Sequence, residues 1–213
     1  MRAPLNSINR KDNMVNTFLP YPEYVKSARD LDNKRLGKQR VEAYQILKVN
    51  LGLSPGKGWV NHPAAIMWRG YEGHLCEYAI AICDEWTGRG FKDSIKEQVM
   101  KIIETLPEAA FEKPWWLGIP EFHESHQSNL VRKDCLHYVY QIAGDKSYLW
   151  PRSDRTLKTK EQIHEDKVLL QNKQGGRKRR SVVSDSKRKG TGSTKRRVSK
   201  TGTRKRMVKS SSR

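Results

Sequence analysis

The sequence predicts an all-α fold: a compact single-domain helical bundle followed by a disordered basic C-terminal tail. Three observations predict it. Apolar residues recur at steps of three and four in several stretches, the period of a helix with one buried face. No run alternates apolar and polar residues over the length of a strand. After Arg152 the apolar content collapses, and Lys, Arg, Ser, Thr and Gly take over. At 213 residues the chain is long enough for one ordinary core and a tail.

Met1 to Asn13 is polar and aperiodic, so residues 1–14 are expected as a flexible extension, with Met14 as a second candidate start. TFLPYP, Thr17 to Pro22, carries two prolines in three residues, which excludes a helix interior. A helix is expected from about Glu23 to Val49, with Asp30 or Asp32 as a break and second N-cap. Gly52 to Gly58 reads as a loop. Trp59-Val-Asn-His-Pro63 leads into a second helical region. There Leu75, Tyr78, Ala79, Ile82 and Trp86 share a face, and Gly88 and Gly90 stop it. A third helix is expected from Asp93 to Leu106, with Ile95, Val99, Ile102 and Leu106 buried and Pro107 as terminator. KPWWLGIP, Lys113 to Pro120, is an aromatic loop. A fourth helix is expected over Pro120 to Val139, and Tyr148 to Pro151 should pack back on the body. The domain so outlined is 15–152, with 153–171 a linker or short helix.

Charge divides the molecule. Net charge is +19, from 42 Lys and Arg against 23 Asp and Glu. Lys173 to Arg213 holds 17 of those bases and one acid, Asp185, which leaves the rest of the chain nearly neutral. Residues 172–213 cannot bury enough apolar surface to offset the entropy of ordering. Their recurring basic clusters suit an arm laid along phosphates, a nuclear-import signal, or both.

Three cysteines, Cys76, Cys83 and Cys135, form no CxxC pair and no disulfide framework. They suit a reducing compartment, and no run approaches 18 apolar residues. The expectation is a soluble intracellular protein, nuclear in a eukaryotic host.

For chemistry, the stretch Asp32 to Leu47, DNKRLGKQRVEAYQIL, stands out. Leu36, Ala43 and Leu47 form an apolar seam, while Arg35, Lys38, Glu42 and Gln45 lie on another face. Glu42 is a lone carboxylate among Lys34, Arg35, Lys38 and Arg40. It is either one half of a surface Lys–Glu pair or a catalytic acid on a DNA-facing helix. His123 and His126 are three apart without a third ligand at zinc spacing, so no metal is expected. His62 opens the second helical region and is a candidate anion contact. His126, Asn129 and Arg132 fall close to one face of the fourth helix. No G-x-S-x-G and no phosphate-binding glycine loop is present.

These residues resemble the pyrimidine-dimer DNA glycosylase family of the endonuclease V type, in particular its cellular branch. TFLPYP (Thr17 to Pro22), LDNKRLGKQRVE (Leu31 to Glu42), NHPAAIMWRG (Asn61 to Gly70), RGF (Arg89 to Phe91) and FHESHQSNLVRKD (Phe122 to Asp134) carry the resemblance. It implies an all-helical domain that cleaves the glycosidic bond at UV-induced dimers and then the DNA backbone, as an AP lyase. It implies a nucleophile that is an N-terminal α-amino group, which forms a Schiff base with the sugar, assisted by a helix glutamate matching Glu42. Thr17 is the nearest match to the family's terminal threonine, yet it is internal; were the chain to begin after Met14, Val15 would supply the amine. Arg35, Lys38, Arg40, His62, His126, Asn129 and Arg132 are expected as DNA contacts. Double-stranded DNA is the expected partner, the protein a monomer without cofactor. The alternatives are a non-catalytic DNA-binding protein with the same fold, or a glycosylase or nuclease for another lesion.

Overall fold

A computed structural model describes residues 15–55, 58–142 and 145–172. The N-terminal extension and the basic tail expected from the sequence lie outside the described residues. The chain divides into two units, Met1–Asp166 and Lys167–Arg213. The first is mostly helical, as the apolar periodicity predicts: α1 (Tyr24–Asp30), α2 (Asn33–Asn50), α3 (Pro63–Trp68), α4 (Glu72–Gly88), α5 (Ile95–Ile103), a 3-10 turn (Glu108–Phe111) and α6 (Pro120–Lys133). Of the second unit, the described residues 167–172 are helical.

The long first helix is two helices. The first ends at Asp30 with Leu31 as its C-cap, and Asp32 caps the next, its carboxylate accepting the Arg35 N–H at 3.0 Å. Arg89 locks the break from α4. Its guanidinium donates to the carbonyls of Arg29 (2.9 Å) and Leu31 (2.7 Å) and to the Asn33 side chain (2.9 Å), so it holds carbonyls that α1 leaves open. The arginine of the RGF motif is therefore a helix-end clamp.

The second helical region is also split. Gly70 takes φ +84°, in the left-handed region that glycine enters without strain, and turns the chain between α3 and α4. Helix α4 is the centre of the core, packing on α1, α2 and α5. Its residues Leu75, Cys76, Tyr78, Ala79, Ile82 and Cys83 are all buried. Gly37 of α2 meets the Trp86 ring of α4 so closely that an added Cβ would sit 2.9 Å from it.

Two expectations need correction. Helix α6 ends at Lys133, not Val139: Asp134 is extended, and Leu136 and Val139 are exposed. Helix α5 ends at Ile103, short of Leu106. A two-residue hairpin, β1 (Trp150–Pro151) with β2 (Leu157–Lys158), is the strand content among the described residues, too short for any alternation to show. Residues 160–166 then begin a helix, and Ile163 enters the core.

Residues 15–19 have no regular structure, yet all five are buried. Backbone groups buried outside a helix or sheet need other partners. Side chains from three helices supply them. The Tyr78 hydroxyl lies 3.1 Å from the Phe18 carbonyl and 2.8 Å from Gln39 Oε1, its one proton shared between the two acceptors. His123 Nδ1 donates to the Leu19 carbonyl at 2.8 Å while its Nε2 accepts the Gly118 N–H at 3.0 Å. Gln39 of α2 holds the Phe18 N–H and the Asn16 carbonyl, as described below.

Candidate active site

The site grows from Gln39. Its amide is fully buried and makes four hydrogen bonds, all it has to offer. The oxygen accepts from the Phe18 N–H (2.9 Å) and the Tyr78 hydroxyl (2.8 Å). The nitrogen donates to the Asn16 carbonyl (2.8 Å) and to Glu42 Oε2 (2.8 Å). One side chain thus fastens the segment 15–18 and orients the Glu42 carboxylate one turn further along α2.

Glu42 is 6 % exposed. Lys38 Nζ lies 3.2 Å from its Oε1. The sequence allowed a solvated Lys–Glu pair; instead the carboxylate is buried and the ammonium half-exposed. Burial pushes the Glu42 carboxyl above the usual carboxylate range, opposed by the Lys38 charge and by hydrogen bonds from Lys38, the Asn16 N–H and Gln39. A carboxyl so placed can hold or release a proton nearer neutrality than a surface glutamate can.

Glu42 opens onto a cleft of about 400 Å³. Val15, Asn16 and Phe18, Lys38 and Glu42 of α2, and Asn129, Arg132 and Lys133 of α6 line it. Ser147, Tyr148, Trp150, Lys160 and Glu161 close the remaining side. Four cations, Lys38, Arg132, Lys133 and Lys160, face two carboxylates, Glu42 and Glu161, so the cleft favours an anion over a cation.

The structure sorts the residues singled out by sequence into two sets. Lys38, Glu42, Asn129 and Arg132 meet at the cleft. Asn129 donates to the carbonyls of Ser125 (2.6 Å) and Lys146 (3.2 Å) and accepts from Arg132, whose guanidinium also pairs with Asp145 at 3.1 Å. The others lie elsewhere. Thr17 sits beneath the cleft: its hydroxyl accepts from the Trp68 indole at 3.0 Å and its N–H donates to Asn16 Oδ1 at 2.8 Å. Arg35 pairs with Asp32 and lies 5.2 Å over the Tyr138 ring. Arg40 pairs with Asp93, whose other oxygen caps α5 through the N–H groups of Ile95 and Lys96. His62 caps α3, its Nδ1 accepting the Ala64 N–H at 3.1 Å, and burial lowers its pKa, with the Lys160 charge adding. His126 is 1 % exposed, and burial, reinforced by His123, pulls its pKa down to about 3. It is a neutral core residue on which the Leu19 N–H rests at 3.4 Å.

Sequence reasoning missed Gln39, Asn16, Lys133, Tyr148 and Lys160. Gln39 had a legible signal: a polar residue one turn before Glu42 and three after Leu36, on the buried side of α2. Lys160 had none, because only the hairpin brings it back.

Residues 15–98 match the model of the family described as pyrimidine dimer DNA glycosylase. The match ends within α5, so α6 and the segment that closes the cleft lie beyond it. No curated protein and no solved structure matches the chain.

Proposed function

From the premise that residues 15–98 belong to the pyrimidine dimer DNA glycosylase family, we propose that the cleft at Glu42 excises damaged pyrimidines from duplex DNA and then cuts the strand as an AP lyase. The observation that carries this is the buried Glu42 carboxyl hydrogen-bonded to the Asn16 N–H, one residue from the nitrogen of Val15, in a cation-rich cleft.

The nucleophile we assign is the α-amine of Val15, freed by removal of the chain through Met14. Val15 lines the cleft, whereas Thr17 is committed to Trp68 and Asn16 beneath it. An α-amine titrates near 8, roughly two units below a lysine, so a useful fraction is free base at neutral pH. The amine lone pair attacks the anomeric carbon as the glycosidic C–N bond breaks and the base leaves with the bonding pair. Glu42 stabilises the positive charge on the sugar as a carboxylate and hands on protons as the sugar ring opens to the imine. Loss of a proton from the neighbouring sugar carbon then expels the 3′ phosphate. Lys38, Arg132, Lys133 and Lys160 hold the flanking phosphates.

One observation favours a second reading. In the sequence as it stands the Val15 nitrogen is in a peptide bond with Met14 and carries no free amine. Without processing, the cleft would bind DNA and form no imine. Borohydride trapping on dimer-containing duplex separates the two. A chain beginning at Val15 should be fixed covalently to DNA through that residue, and the 213-residue chain should not. Absence of an adduct from both would leave the binding reading. A panel of other lesions fixes the substrate.

A further inference from the structure

A second concave surface lies on the other side of the Trp150–Pro151 strand. Trp150 lines the cleft at Glu42, and the next residue, Pro151, lines a groove of about 510 Å³. Arg69, Arg152 and Arg155 line that groove together with Tyr71 and Trp115, and no carboxylate does. Among the described residues none of the three guanidinium groups forms an ion pair. Arg69 donates to the Val60 carbonyl at 2.8 Å, which fixes its direction without neutralising it. Asp154, within electrostatic range of Arg152, turns to Thr156, accepting its N–H at 3.2 Å and its hydroxyl at 2.6 Å.

The hairpin that carries two of these arginines adds an independent observation. Arg155 has φ +57°, in the left-handed region that glycine occupies freely and side chains avoid. The turn is closed by Arg152 N–H to the Thr156 carbonyl (2.9 Å) and Arg155 N–H to the Arg152 carbonyl (3.1 Å). In a short hairpin loop this is the position glycine usually fills. An arginine here works against the fold and has the cost of a residue kept for its side chain.

We propose that this groove binds single-stranded nucleic acid, with Arg69, Arg152 and Arg155 on successive phosphates and Trp115 against a base. A groove of one charge sign concentrates a polyanion. Guanidinium groups match phosphate oxygens in geometry as well as charge. Aromatic rings set among them suit bases that are not already paired and stacked, which separates this site from one for duplex backbone alone. The site requires no cleavage chemistry and stands whether or not the neighbouring cleft is an active site.

The test uses the full 213-residue protein with the double substitution Arg152→Gln, Arg155→Gly. Glycine suits the left-handed turn, so the hairpin is retained, which circular dichroism and a melting curve check. Binding of a fluorescent oligothymidylate is measured against salt. Loss of two phosphate contacts should lower the slope of log K against log salt by about 1.4, at roughly 0.7 per contact on a single strand. The basic tail contributes equally to both proteins and cancels. An oligomer carrying 5-iodouracil should photocrosslink to the peptide bearing Trp115 in the wild type and lose that crosslink in the variant. An unchanged slope, or crosslinks confined to other peptides, overturns the proposal. An equal fall in slope with duplex DNA, without the Trp115 crosslink, overturns the single-strand assignment and leaves a duplex backbone contact.

Discussion

Glu42 and Lys38 stand one helical turn apart, and from sequence they are indistinguishable from a solvated pair worth a few tenths of a kcal/mol. What changes their meaning is the segment laid over them from more than 20 residues away, which no periodicity reports. Glu42→Gln keeps shape and removes charge. Strand cleavage by a chain starting at Val15 should fall about 100-fold or more, the scale of one acid–base group, while binding to damaged duplex is kept or tightened. Retained cleavage in a preparation of verified N-terminus would remove Glu42 from the mechanism. Gln39 is the second residue to test. Gln39→Met has similar length and no hydrogen bonds, and leaves the Phe18 N–H and the Asn16 carbonyl buried without that partner. It should cost on the order of 3 kcal/mol or more of stability, read from denaturant melts. A loss under about 1 kcal/mol would mean that water takes over the amide's place.

At the scale of elements, the periodic stretches were legible, and so were the Asp32 cap and the Gly88 stop, whereas the ends of α5 and α6 were not. The apolar seam of α2 and the face of α4 followed from spacing alone, because a buried stripe writes itself at every third or fourth residue. The breaks at Asp32 and Gly70 depend on single residues, and the true end of α6 on an extended Asp134 that no spacing marks. Tertiary bonds decide them. Asp32 is the clearest case. Burial alone would raise its carboxyl, but hydrogen bonds from Tyr138 and Arg35, together with the Arg35 charge, hold it at about 2. A carboxyl depressed in the fold stabilises above its ordinary pKa near 3.9 and loses that contribution as pH falls toward 2. Asp32→Asn should therefore destabilise by about 2 kcal/mol at pH 7, with the gap to wild type closing between about pH 4 and pH 2. A gap that is flat across that window would show that the cap works by hydrogen bonding and not by charge. His126 sets the other acid limb. Its pKa is lowered to about 3, so stability present above about 6.5 is lost progressively as pH falls between those values. His126→Gln keeps an acceptor for Leu19 and should flatten that limb in melts taken from pH 7 to pH 4.

For the whole molecule, composition separated a nearly neutral body from a basic terminus, and among the described residues no helix is long and apolar enough to cross a membrane. Deleting Asn172 to Arg213 removes 17 bases and one acid. The body should keep its melting temperature, while duplex affinity should fall and its salt slope shrink by several units, each neutralised phosphate counting about 0.9. Discrimination between damaged and intact duplex should survive, since phosphate contacts carry no lesion information. A truncated protein with the full salt slope would place the DNA contacts in the body alone. Lys133, Lys160 and the arginine groove were the part hardest to see in advance. They come from several separate stretches of chain, and only the finished packing brings them into two neighbouring hollows.

The amide bond of Phe18 has one further property. Its hydrogen is donated to Gln39, a side chain that is itself wholly enclosed and has no spare valence for water. Fraying of a helix end does not release it, because Gln39 sits mid-helix in α2 and Tyr78 mid-helix in α4. Its exchange with heavy water should run at the pace of global unfolding. The carboxylate that shares Gln39 is held by the same clock, so the candidate site should be among the last parts of the molecule to soften.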